Sequence, residues 1–137
     1  MRNNRIYTKS FLAGLAFPAI FIPIIYSIFY LLQHSIIYNA SIILTAMQLP
    51  LIFAISNIIL IWQQKGNIKR ITNKLYYIAG AILGIFMSLH GIFILELPTK
   101  IFAISGNWKF IFLIIIPIIY ALIFRFIVKQ FNAIIIS

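Results

Sequence analysis

Four apolar stretches, each of membrane-crossing length, alternate with short polar ones along the chain. A helix needs about 20 mostly apolar residues to cover a hydrocarbon core roughly 30 Å thick. The runs 11–32, 42–62, 75–97 and 108–128 all reach that length. Between them lie QHSIIYNAS (33–41), QQKGNIKRITNK (63–74) and PTKIFAISGN (98–107), too short to do more than reverse the chain. The pattern therefore predicts an all-α polytopic membrane protein, an antiparallel four-transmembrane-helix bundle forming one integral membrane domain over residues 1–137. The first run is too long for the apolar core of a signal peptide and reads as a span. The closing FNAIIIS is apolar but too short to cross by itself.

Inside the runs, Pro18, Pro23, Pro50 and Pro117 each remove a backbone donor and predict bends. Tyr26, Phe29, Tyr30 and Trp62 mark interfaces, where amphipathic rings are enriched. In the second run Ser41, Thr45, Gln48 and Ser56 fall within a sector of roughly 80° at 100° per residue, with Asn57 displaced from it. A shared polar face in lipid is expected to turn inward, to bond neighbouring helices or to line a wet path.

The third run carries most of the unusual chemistry. Gly80 and Gly84 are four residues apart, and Met87, Ser88 and Gly91 continue their face at helical spacing. Small residues in this pattern let two helices approach closely in lipid, so Gly80, Gly84, Ser88 and Gly91 are the expected helix-packing positions, with a partner helix in the same chain or in another copy. His90 lies on the same run, roughly 10 Å in from Leu97 at 1.5 Å per residue, with Thr45 and Gln48 at a depth to bond it. Glu96, the only acidic residue, stands near the run's far end with Lys100 four residues on, which favours an interfacial carboxylate. Gln48, His90 and Glu96 are the candidate residues of a polar or transport path.

Composition narrows the function. The chain is 64% hydrophobic and 9% charged, against about a quarter charged in soluble domains, so lipid must be the solvent for most of it. The net charge of +10 is concentrated in Met1–Ser10, the 63–74 linker and the end of the last run, leaving Lys100 and Lys109 on the opposite side. That asymmetry predicts cytoplasmic N- and C-termini in a bacterial inner membrane, with the cations against an anionic cytoplasmic leaflet, and removes the need for a nucleic-acid partner. Asp and Cys are absent. Disulfides, thiolate metal sites, a Ser-His-Asp set and a carboxylate pair are thereby excluded, and no glycine-rich phosphate loop or zinc spacing occurs. A haem between His34 and His90 would need the two at one level, whereas His34 falls at the interface. No cofactor, metal or catalytic site is expected. IPIIY and IFAIS each occur twice, but at unrelated offsets in an Ile-rich chain, so they mark low complexity rather than a duplication. The expectation is a non-enzymatic accessory, scaffold or assembly subunit, as a homo-oligomer or within a larger membrane complex. The alternative is a small oligomeric transporter or channel using the path past Gln48, His90 and Glu96.

Overall fold

A computed structural model describes residues 2–136, with side-chain environments from residue 4 to residue 136. It is an all-α bundle with four helices long and apolar enough to cross a membrane. The protein is an integral membrane protein. Helix α1 is Arg2–Leu31, α2 is Ala40–Gln63 and α3 is Asn73–Phe93. A short helix α4, Leu97–Phe102, follows. The fourth span is a continuous rod made of a 3-10 segment Gly106–Ile111, α5 (Phe112–Leu122), a π-helical segment Ile123–Val128 and α6 (Lys129–Ile136).

Local chemistry sets most of the helix ends. The Asn39 side chain accepts from the Ile42 N–H at 3.2 Å and starts α2. Thr72 does the same for α3, accepting from the Leu75 N–H at 3.4 Å. Past α2 the chain turns through Lys65 at φ 54° and Gly66 at φ 77°, and the Gly66 N–H closes on the Ile61 carbonyl at 3.0 Å. Polar groups are freed at a helix end, and short capping side chains satisfy them.

Two boundaries differ from the sequence expectation. The third span ends at Phe93, not at residue 97, because the Ile94 and Leu95 N–H groups both turn back to the His90 carbonyl. Glu96 then takes a left-handed conformation, φ 51° and ψ 39°, and a new helix starts behind it. Pro98 sits in the first turn of that helix, where its missing N–H costs nothing. The fourth span does not stop near Val128 either. Tyr120, Phe124, Val128 and Asn132 recur every four residues, and the last three are buried. On a 3.6-residue helix that spacing drifts by about 40° per step. The wide π-helical turns over Ile123–Val128 absorb the drift and keep Asn132 facing inward. The segment FNAIIIS is therefore mostly the last turns of a span.

The bundle is assembled as two hairpins. Gly14 lets α1 press on α2: a Cβ placed there would meet Ala54 Cα at 2.8 Å and Asn57 Cβ at 2.9 Å. Gly80 and Gly84 do the same for α3 against α5, where added Cβ atoms would meet Ala121 Cα at 2.6 Å and Pro117 Cα at 2.5 Å. The partner of the glycine motif is thus in the same chain. The hairpins join along an aromatic seam in which Phe53 of α2 lies 5.5 Å from Tyr120 and 5.3 Å from Phe124, ring centre to ring centre. Leu83, Val128 and partly buried Phe17 and Met87 fill the same core. A second cluster, Leu60, Ile61, Ile71 and Tyr76, closes the end that carries both termini. Elsewhere α2 and α3 touch little.

Candidate functional site

Two sets of hydrogen-bonded polar side chains join the spans, one in each half of the bundle. Toward the end away from the termini, His90 of α3 faces Thr45 of α2, with Nε2 and Oγ1 3.2 Å apart. Thr45 donates its single hydroxyl hydrogen to the Ser41 carbonyl at 3.0 Å. With that hydrogen used, the contact is made by His90 donating from Nε2. His34 also carries its proton on Nε2, for a different reason: its Nδ1 accepts from the Ile36 N–H at 3.1 Å and caps a turn at Ser35–Tyr38. It has no contact with His90's environment that would allow a shared ligand.

A cavity of about 290 Å³ opens beside the His90–Thr45 pair. Its walls are nearly all apolar: Leu49 and Ile42 from α2, Met87 and Ile92 from α3, Pro98 and Ile101 from α4, Ile116 from α5. Ser88 reaches the wall, but its hydroxyl is spent on the Ile85 carbonyl at 2.9 Å. Gly91 also lines it; a Cβ there would meet only the flexible end of Leu97, at 3.3 Å, so this glycine is not a close-approach position. Ser88 is buried beside the helix contact made by Gly80 and Gly84. Space of this size lies at the small end of ligand pockets, roughly 300–1,000 Å³, and suits an apolar group rather than a hydrated ion.

The other two path candidates are elsewhere. Gln48 is exposed on the outer surface of α2. Glu96 is also exposed, in the turn between α3 and α4, and its side chain makes no capping bond. Of the expected inward polar face of α2, Thr45 alone bonds a neighbouring helix; Ser41 and Gln48 are exposed, and the half-buried Ser56 donates to the Ile52 carbonyl of its own helix at 2.8 Å.

The second cluster lies toward the end of the termini and was not anticipated from the sequence. Asn57 of α2 and Asn132 of α6 face each other in the core, both almost fully buried. Asn57 donates to Asn132 Oδ1 at 2.7 Å, and Asn132 donates back to Asn57 Oδ1 at 2.9 Å. Asn57's other hydrogen goes to the Ser10 carbonyl at 2.8 Å, and Asn132's other hydrogen to Tyr76 Oη at 3.1 Å. One network thus draws on all four spans. The available signal was Asn57's displacement from the other polar residues of α2, together with the continuation of the Phe124–Val128 spacing onto Asn132.

Among the described residues no group of three or more His, Cys, Asp or Glu side chains is placed to hold a metal ion. No protein-family model, curated protein or solved structure matches the chain.

Proposed function

We propose that this is a non-enzymatic membrane subunit, acting by assembly with other membrane components rather than by catalysis or transport. One observation carries the reading: Gln48, His90 and Glu96 do not line one route, while His90 is bonded to Thr45 and the two buried amides, Asn57 and Asn132, to each other. A transporter of this size needs ionisable or unpaired polar groups along a wet interior. Here the space beside His90 is apolar. The large apolar outer surface and the packed four-helix bundle suit a part that holds position beside partners. Nine of the eleven Lys and Arg residues gather at the end of the termini, which supports placing that end against an anionic cytoplasmic leaflet of a bacterial inner membrane.

The test has two arms. Tagged protein extracted in mild detergent is run on a native gel, and the migrating species are identified by mass spectrometry; a complex of fixed stoichiometry is expected. Purified protein in vesicles loaded with a pH-sensitive dye is compared with Glu96→Gln and His90→Ala. A proton or cation leak above that of empty vesicles, lost in either variant, would overturn the reading in favour of the transporter.

A further inference from the structure

Among the described residues most serine and threonine hydroxyls of the spans donate to their own helix, whereas the buried Tyr26 hydroxyl has no partner. Ser10 donates to the Ile6 carbonyl at 2.7 Å, Ser27 to the Pro23 carbonyl at 2.7 Å, and Thr45, Ser56 and Ser88 do likewise. The span amides Asn57 and Asn132 bond each other. Gln48 is a further polar group of the spans without such a bond. It is exposed, it joins none of these bonds, and it lies one turn deeper than Thr45, about 12 Å from the start of α2 at Ala40. Its side chain is too short to reach the headgroups from there, and an unbonded amide in hydrocarbon costs several kcal/mol.

The surface around it has a register. Ser41, Leu44, Gln48, Leu51, Ile55 and Ile59 are all exposed and recur at intervals of three and four. This is the spacing of a helix seam that packs knobs into holes, and a single polar residue within such a seam fixes register and partner. We infer that the chain pairs with a second copy of itself along this face of α2, with the two Gln48 amides bonded to each other across a two-fold axis normal to the membrane. The amide is self-complementary, carrying one acceptor and two hydrogens. A two-fold axis along the normal puts each Gln48 opposite its twin at equal depth, as an isologous contact requires. The chain already makes this bonding pattern internally between Asn57 and Asn132, at 2.7 and 2.9 Å. The pairing deepens the assembly reading by naming one partner for it.

The natural absence of cysteine makes the test direct. Leu44→Cys and Leu51→Cys, each introduced singly, are oxidised with copper phenanthroline in isolated membranes, with Ile20→Cys on the exposed side of α1 as the control. Disulfide-linked species of twice the 15.8 kDa chain are expected from the two α2 positions and not from the control. Adding Gln48→Leu is expected to cut the yield roughly tenfold, and Gln48→Asn to restore most of it. Gln48 is exposed, so neither change disturbs the bundle. Absence of the dimer at both α2 positions, a dimer indifferent to Gln48→Leu, or crosslinks only to a different protein would overturn the pairing. Those results would leave the assembly reading to its own native-gel test.

Discussion

Asn57 and Asn132, 75 residues apart in the chain, hold each other through two reciprocal amide hydrogen bonds in the buried core. Their remaining hydrogens go to Ser10 and Tyr76, so all four N–H bonds of the pair are used. The effect of losing one partner then differs from losing both. Asn57→Leu or Asn132→Leu alone strands the opposite amide and is expected to destabilise the bundle by about 1–3 kcal/mol. The double change to Leu removes the stranded group and is expected to cost less than the two single losses added together. A double-mutant cycle read by steric-trap unfolding in bicelles measures this; strict additivity would show that the two amides are not coupled.

The glycines of α3 divide into two kinds. At Gly80 and Gly84 an added Cβ meets the backbone of α5, which cannot step aside without separating the helices. Gly80→Ala and Gly84→Ala are each expected to destabilise by about 1–3 kcal/mol. At Gly91 the neighbour is a leucine methyl that can rotate away, so Gly91→Ala is expected to be within about 0.5 kcal/mol of the parent. The same unfolding measurement ranks the three. Equal losses at all three positions would contradict the assigned contact.

His90 and Thr45 form a direct bond between α2 and α3, helices that otherwise touch little. Thr45→Val keeps the shape and removes the acceptor. Nitrogen NMR on histidine-labelled protein is expected to show the Nε2-protonated ring for both histidines in the parent. Only the His90 signals should shift in the variant. A His90 ring protonated on Nδ1 in the parent would show that the donor has been assigned to the wrong nitrogen.

The charge asymmetry sets the expected orientation. Lys69→Cys in the linker and Asn107→Cys near the start of the fourth span are both exposed and lie at opposite ends of the bundle. In intact cells a membrane-impermeant maleimide is expected to label position 107 and not position 69. Labelling of both ends only after lysis, or of position 69 alone in intact cells, would reverse or refute the orientation.

The number, order and antiparallel course of the spans could be read from run lengths, because hydrocarbon imposes a minimum length on any helix that crosses it. The glycine face could be read for a similar reason: only small residues allow the approach now seen at Pro117 and Ala121. The break after Phe93 was hidden, since FILEL holds no Gly or Pro to mark it and the turn is made by backbone bonds to His90. The orientation of α2 was hidden too. Its hydroxyls satisfy themselves on their own helix, so a shared polar face carried no obligation to turn inward. Gly14 and Asn132 matter through contacts with distant residues, and neither is marked by its local sequence.

The amide knot also bears on biosynthesis. Ser10, Asn57 and Tyr76 leave the ribosome before Asn132, so a nascent chain with three spans inserted holds Asn57 in the bilayer with one hydrogen and its oxygen still open. Only arrival of the last turns of the fourth span closes that gap. Until then the incomplete protein presents a sticky amide that a chaperone, a protease or a neighbouring nascent chain can distinguish from the finished one.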